Sequence, residues 1–92
     1  MPQTEVSILD QVEEYASLFF TVDEIALLID RDPVDLRREI RHGKSELARR
    51  YQKGKLGTML EMRRVMVQFA KKGSPQAEMI LKEFFQKMEG SE

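Results

Sequence analysis

Two helix-start signals stand close together in the first half of the chain, and they limit what this part can fold into. Thr21 followed by Glu24 is a capping box, in which the hydroxyl and the carboxylate each satisfy a free backbone N–H. Asp32 before Pro33 is a second N-cap, with proline in the first turn, where its missing N–H costs nothing. The spacing predicts a short helix over 22–30, a tight turn, and a helix that begins at Pro33.

Apolar residues recur at helical spacing throughout residues 1–43, and no run of alternating β-branched residues predicts a strand. A first helix is predicted over about 4–19. The third helix places Leu36 and Ile40 on its inner face, and Gly43 can close it in a left-handed conformation. The sequence therefore predicts an all-α class, in which residues 1–43 form a three-helix unit.

Residues 44–92 are predicted to form two helices joined by a short loop. One long helix spans about 44–72, with Gly54 and Gly57 as the place for a bend, since glycine weakens a helix interior. The sequence "KKGSP" ends that helix and starts the last one with a serine cap and a proline in the first turn. Because the connection is so short, the two helices are predicted to fold back as an antiparallel hairpin.

The apolar surface of this hairpin is wider than one neighbouring helix would cover. Two stripes run along the later half of the long helix, and a third runs along the last helix. The residues are Met59, Met62, Met66 and Phe69, then Leu56, Leu60, Val67 and Ala70, and finally Ala77, Ile80, Leu81, Phe84 and Met88. The methionines are either core filler or an adaptable surface for a partner, and the two interpretations merge if the core lies at a subunit interface.

Composition excludes several classes of site. The chain has 92 residues, no cysteine and one histidine, so disulfides and thiolate metal sites are excluded, and no metal or cofactor is expected. A domain this small without such staples often depends on self-association. The first residues lack the pattern of a signal peptide, and nothing approaches the roughly 20 apolar residues of a membrane span. We expect a soluble, cytoplasmic protein with no membrane partner.

The net charge of −1 hides an asymmetry along the chain. Residues 1–30 carry seven acidic residues and no lysine or arginine, whereas 31–55 carry nine basic residues against four acidic ones. Residues 56–92 carry six basic residues against five acidic ones. A basic block beside an acidic one indicates an anionic partner for the middle of the chain. The alternative is a solvated helix face whose charges pair with one another.

The segment "IALLIDRDPVDLRREIRHG" has the parts of a helix-turn-helix: a supporting helix, a tight turn, and a second helix with one apolar and one polar edge. When Leu36 and Ile40 point inward, the basic residues of the second helix are left to face outward. These residues are Arg37, Arg38 and Arg41, with His42 and Lys44 at the end of the helix. Arginine neutralises phosphates or binds guanine in the major groove, so this face is predicted to contact double-stranded DNA.

A second interpretation of the same helices needs no DNA. In a plain three-helix bundle the arginines are solvated, or they pair with Asp35, Glu39 and Glu46. The run "ARRYQKGK" allows two interpretations as well. Its basic residues either follow a DNA backbone or lie on a solvated helix face; they are Arg49, Arg50, Lys53 and Lys55. The DNA hypothesis requires guanidinium groups that are held outward rather than turned into neighbouring carboxylates.

Two stretches in succession resemble the phage terminase small subunit family. The sequence "DEIALLIDRDPVDLRREI" is similar to the helix-turn-helix of small phage DNA-binding proteins. The segment from "RRYQKGKLG" through "AKKGSPQAEMILKEF" is similar to the family's second helical element. The matching residues there are Gly54, Ala70, Lys71, Lys72, Gly73, Ser74, Pro75 and Ala77. The resemblance covers about residues 22–85.

This resemblance implies a protein that forms rings through its hairpin, binds the packaging site through its helix-turn-helix, and assists the large, ATP-hydrolysing terminase subunit. DNA contact would fall on Arg37, Arg38 and Arg41, and also on Arg31. The hairpin would supply the interface between copies. The residues predicted for it are Leu56, Met59, Met62, Met66, Phe69, Ile80, Phe84 and Met88.

No enzyme class is supported, and no catalytic residue is expected. His42 and Ser45 lie on no recognisable nucleophile turn, and the glycine-containing segments lack the spacing of a phosphate-binding loop. Two alternatives to a terminase-like protein stay open. One is a dimeric helix-turn-helix transcription regulator, and the other is an interaction module whose apolar face recruits a protein helix without nucleic acid.

Overall fold

The computed structural model describes the backbone of residues 5–91 and the side chains from Ser7 to Ser91, and this part of the chain is helical with no strand. Its five helices are α1 (Glu5–Ser17), α2 (Val22–Leu28), α3 (Pro33–His42), α4 (Glu46–Lys71) and α5 (Pro75–Ser91). The predicted all-α class is therefore confirmed. The predicted helix start at Thr4 lies outside the described residues.

The caps of α2 and α3 form as predicted. The Glu24 N–H donates to Thr21 Oγ1 at 3.2 Å, and the Thr21 N–H donates to the Glu24 carboxylate at 2.9 Å. The Asp32 carboxylate accepts from the N–H of the second helical residue, Val34, at 2.7 Å, and α3 ends at Gly43 with φ 70°. Because these hydrogen bonds satisfy backbone groups at both helix starts, residues 21 and 32 define where α2 and α3 begin.

Two helix ends differ from the prediction. The first helix ends at Ser17 rather than at Phe19, and α2 ends at Leu28 rather than at Asp30. Phe19 (φ 63°) and Asp30 (φ 58°) are both in the left-handed region. Each is followed by an N–H that donates back to the carbonyl five residues earlier, from Phe20 at 3.2 Å and from Arg31 at 2.8 Å. These are Schellman motifs, in which glycine usually occupies the left-handed position. Because phenylalanine and aspartate occupy it here, no glycine in the sequence indicated where these two helices end.

The helices of the first half share one apolar core. Val12, Ile25 and Leu36 are fully buried, and they come from α1, α2 and α3 respectively. Leu47 and Ala48, in the first turn of α4, are buried as well. The core cluster comprises Val12, Ala16, Ile25, Ala26, Ile29, Leu36 and Leu47. The start of α4 therefore belongs to the same packed unit as the three helices before it.

A close approach between α1 and α4 extends this unit further than predicted. Gly54 is buried, and a Cβ atom there would overlap the backbone carbonyl of Glu13. One turn later, Thr58 Oγ1 donates to the Ser17 carbonyl at 2.6 Å. One compact unit accordingly runs to Thr58 and the other begins at Met59, whereas the predicted division lay after residue 43. Hereafter these are the N-terminal and C-terminal units.

The C-terminal unit contains the rest of α4 and all of α5. Gly73, with φ 94°, ends α4 in a third Schellman motif, since the Ser74 N–H donates to the Phe69 carbonyl at 3.0 Å. The side chain of Ser74 then accepts from the Ala77 N–H at 3.3 Å and caps α5. The Arg63 guanidinium lies over the Phe84 ring, 4.0 Å from its centroid. This contact joins the two helices at similar distances from their loop.

Candidate nucleic-acid interface

The exposed face of α3 carries three arginines opposite its buried residue, Leu36. Arg37, Arg38 and Arg41, together with Val34, line a shallow depression of about 300 Å³. Asp32 and Pro33 begin α3, and the burial of Leu36 orients it, so the 3.6-residue period places these side chains on the exposed side. Three of the six side chains predicted to contact DNA are therefore brought together on one surface, and Arg31, His42 and Lys44 do not line it.

Carboxylates contact two of these three arginines. Arg37 Nε lies 3.3 Å from Asp23 Oδ1, and Arg38 Nη1 lies 3.9 Å from Asp35 Oδ1. This differs from the expectation of guanidinium groups held clear of neighbouring carboxylates. The partner of Arg37 belongs to α2 and is separated from it by 14 positions along the chain. No local spacing rule could have indicated that pair, because it depends on how α2 and α3 pack.

The acidic partners named for the plain-bundle alternative all contact an arginine. Asp35 contacts Arg38, as described, and Glu39 Oε1 lies 3.9 Å from Arg31 Nη1. Glu46 Oε1 lies 3.5 Å from Arg50 Nε. Part of the basic block is thus neutralised by intramolecular ion pairs, as that alternative predicted.

The ion pairs on α3 are weak and accessible to water. The side chains of Arg38 and Asp35 are 68% and 74% exposed, and their 3.9 Å separation is too long for a hydrogen bond. Those of Arg37 and Asp23 are 49% and 56% exposed. Exposed pairs of this kind contribute about 0–1 kcal/mol each. A phosphate group can therefore take the place of either carboxylate at small cost.

The C-terminal end of α3 carries positive charge without such partners. Arg41, His42 and Lys44 are exposed, and within the described part of the chain none of them forms an ion pair. Cations at this end of a helix interact favourably with its partial negative charge. Arg41 is thus the one arginine of α3 that is paired with no carboxylate among residues 7–91.

Arg50 does not belong to this face. Its Nη1 atom lies 3.0 Å from Asp10 Oδ1 and 3.1 Å from Glu13 Oε1, so it links α4 to α1. The hydrogen bond that Arg50 donates to the Asp10 carboxylate and the negative charge of Glu13 raise the pKa of Arg50 above its ordinary value. The charge of Arg50 is therefore neutralised within the N-terminal unit, and its contact with a DNA backbone stays a prediction. Arg49, next to it, is exposed.

The C-terminal unit exposes apolar surface on two sides of α4. One groove of about 450 Å³ is lined by Met62, Val65, Met66 and Phe69, with Glu61 at its edge. A second, of about 250 Å³, is lined by Leu60, Arg63, Arg64, Val67 and Gln68. Corresponding residues of the two grooves, such as Leu60 and Met62, are two positions apart, and two positions turn an α-helix by about 200°. The two grooves therefore lie on nearly opposite sides of the helix.

The predicted interface residues divide into exposed and half-buried positions. Those that are exposed are Leu56, Met62, Phe69, Ile80 and Met88. Met59, Met66 and Phe84 are half-buried, and Ala77 alone is buried between Met59 and Ser91. Four large exposed residues of this unit are absent from the predicted set: Leu60, Val65, Met79 and Phe85. Val65 had a signal, because it lies three residues after Met62 and four before Phe69.

Metal-ligand geometry is absent from the described side chains, where no group of three or more histidine, cysteine, aspartate or glutamate residues could hold an ion. Among residues 5–91, no helix combines the length and apolar character needed to cross a bilayer. Comparison of the chain with protein-family models, with curated proteins and with solved structures finds no match.

Proposed function

We propose that this chain is a non-catalytic protein that binds double-stranded DNA as an oligomer, in the manner of a phage terminase small subunit. In this proposal α3 faces the duplex, and the C-terminal unit joins the copies and meets the large terminase subunit. The observation that carries it is the set of three arginines on one exposed face of α3. Arginine on an exposed helix face binds phosphates and guanine edges.

The connection between α2 and α3 supports a helix-turn-helix. Only residues 29–32 separate the two helices, and a helix-turn-helix joins its helices by a turn of this length. Asp30 closes α2 in the left-handed conformation, and Asp32 starts α3 two residues later. In such motifs the N-terminal residues of the second helix contact base edges. Val34, in the first turn of α3, would then face base edges, and Arg37, Arg38 and Arg41 would bind phosphates.

The two apolar grooves support assembly beyond a dimer. A two-fold symmetric dimer uses one surface patch on each copy, so it would cover one groove and leave the other exposed. Contiguous apolar surface of this kind marks interaction sites. Covering both sides of α4 requires two neighbours for each copy, which is the arrangement in a ring. Apolar grooves on opposite sides of α4 thus favour a terminase-like assembly over a dimeric regulator.

The DNA proposal is tested by titrating a fluorescent mixed-sequence duplex with the protein. Replacing Arg37, Arg38 and Arg41 together by alanine should lower the affinity about 100-fold at low salt. The slope of log affinity against log salt concentration should fall by about 2–3, since each lost phosphate contact removes one released counterion.

The matched control removes three positive charges from exposed lysines of the C-terminal unit, in the variant K71A/K82A/K87A. It has the same net charge as the arginine variant, so it separates a local contact from an effect of total charge. Its affinity and salt slope should stay close to those of the unmodified protein. Equal losses in both variants would contradict DNA binding through α3.

The assembly proposal is tested by light scattering coupled to size-exclusion chromatography. Leu60→Lys places a charge beside Arg63 and Arg64 in one groove, and Phe69→Lys places one in the other. In a ring each substitution alone should dissociate the assembly, because a buried unpaired charge is costly and both sides are needed. Gln86→Lys, which adds the same charge at an exposed polar position of α5, should leave the mass unchanged.

A symmetric dimer gives a different result, because one of the two groove variants would keep the mass of the unmodified protein. A chain that is monomeric at every concentration would exclude both assemblies.

The ion pairs of Arg37 and Arg38 favour one further candidate, a protein-interaction module without nucleic acid. It would be supported if no duplex binds at about 50 mM salt, where phosphate contacts are strongest.

A further inference from the structure

We infer that Asp23 restrains the α3 face, because its carboxylate competes with DNA phosphate for the guanidinium of Arg37. Asp23 would thus weaken the binding that does not depend on DNA sequence. Base contacts would then account for a larger share of the affinity. This inference rests on the DNA-binding function proposed above.

The geometry of Arg37 carries the inference. Its Nε lies 3.3 Å from Asp23 Oδ1 and 3.4 Å from the Pro33 carbonyl oxygen. Asp23 lies in the first turn of α2, so the side chain of Arg37 is held against the neighbouring helix. Both side chains are about half exposed. The pair is therefore formed at the surface that DNA would approach, and not inside the core.

The other two arginines of α3 are held less firmly. Arg38 and Asp35 lie on the same helix at 3.9 Å, a contact too long for a hydrogen bond. Arg41 has no carboxylate partner among the described residues. Arg37 is thus the arginine whose charge is most neutralised before DNA arrives. A phosphate that binds it must displace Asp23 or lie beside it, and two anions at that distance repel each other.

The test is the affinity of the Asp23→Asn variant for a mixed-sequence duplex. Removing the competing charge should raise the affinity about threefold to fivefold at low salt, the range expected for one exposed ion pair. The gain should shrink as salt is raised from about 50 to 200 mM, because salt screens exposed charges. Asp23→Glu keeps the charge and should bind like the unmodified protein.

Asp30→Asn is the matched control. It removes the same charge from the same unit, and asparagine accepts the left-handed conformation of this position. Within the described residues Asp30 forms no ion pair. The affinity of the Asp30→Asn variant for the duplex should therefore rise by less than half as much as that of Asp23→Asn. An equal gain in both variants would show an effect of net charge and overturn the inference.

A double-mutant cycle separates competition for Arg37 from general repulsion of DNA. In the Arg37→Ala background the Asp23→Asn substitution should give almost no gain. If the full gain persisted there, the pairing would have no role and the inference would be wrong. Thermal unfolding of each variant verifies the fold, and Asp23→Ser replaces Asp23→Asn if the asparagine variant does not fold.

Failure of this inference is distinguishable from failure of the proposed function. If the unmodified protein binds duplex and Asp23→Asn binds no better, the inference fails and the proposed function stands. If neither binds at low salt while both remain folded, the proposed function fails, and with it the inference.

Discussion

The two units of this chain differ in what they do with their apolar residues. In the N-terminal unit, Val12, Ile25 and Leu36 are fully buried within one chain, and polar contacts such as those of Arg50 lock α1 onto α4. In the C-terminal unit, Met62, Val65 and Phe69 are each about half exposed, and Ala77 is the one buried residue between Met59 and Ser91. The first unit buries a set of apolar residues among its own helices. The second has as many apolar residues as a core would need, but most of them are exposed or half-buried.

This difference bears on how the functions are divided. A unit with a complete core can hold surface side chains in defined positions, as DNA recognition requires. A pair of helices that leaves apolar surface on opposite sides is suited to contacts between chains. This difference agrees with the proposal that α3 binds DNA and that the C-terminal unit joins the copies. Substitutions in both units can test the difference itself.

The largest expected effect is that of truncating the core of the N-terminal unit. Leu36→Ala should lower the free energy of unfolding by about 2–5 kcal/mol, because Leu36 is almost fully buried and a cavity would remain. Leu60→Ala, at a position that is about half exposed, is the matched change in the C-terminal unit. Leu60→Ala should lower the free energy of unfolding by less than about 1 kcal/mol. Urea unfolding at low protein concentration measures both changes. Equal losses would contradict the contrast between the units.

Two glycines of α4 provide the next test. Gly54→Ala should destabilise the protein by about 1–3 kcal/mol, because the new Cβ meets the Glu13 backbone and α1 must move away. Gly57→Ala meets no atom and should stabilise the protein by about 0.5–1 kcal/mol, since alanine is the better helix former. Thermal unfolding should thus shift in opposite directions. A stabilising Gly54→Ala would mean that α1 does not pack against this turn.

The smallest effect is expected from the helix caps. Asp32→Ala removes the acceptor of two N–H groups at the start of α3 and should cost about 1 kcal/mol. Ser74→Ala, at the start of α5, removes one longer hydrogen bond and should cost about 0.5 kcal/mol. Circular dichroism during urea unfolding measures both. A greater loss at Ser74 would mean that the C-terminal unit depends on its local caps more than the geometry indicates.

Capping residues account for most of what could be predicted locally. The starts of α2 and α3 follow from side chains that bond to nearby N–H groups, at Thr21, Glu24 and Asp32. Helix ends were predictable where glycine marked them, at Gly43 and Gly73. The ends of α1 and α2 were placed too late because phenylalanine and aspartate occupy their left-handed positions, which tertiary packing must impose on such residues.

Side-chain partners were less predictable than helices. The arginine face of α3 follows from the periodicity of one helix, and the structure does bring Arg37, Arg38 and Arg41 together. The pairing of Arg37 with Asp23 joins two helices, and the links from Arg50 to Asp10 and Glu13 join residues about 40 positions apart. Such pairs depend on helix crossing, which the apolar pattern of a single sequence does not specify.

By itself the sequence determined that this protein is built from helices, where α2 and α3 begin, and that the apolar surface of residues 56–70 is wider than one neighbouring helix would cover. Those properties depend on periodicity and on bonds between residues a few positions apart. Only the tertiary structure decided that α1 packs closely against Gly54 and that the division between the units falls within α4. It also decided that Arg37 pairs with Asp23 of another helix. Each of these depends on the distance between two helices, and the backbone must be folded before that distance is defined.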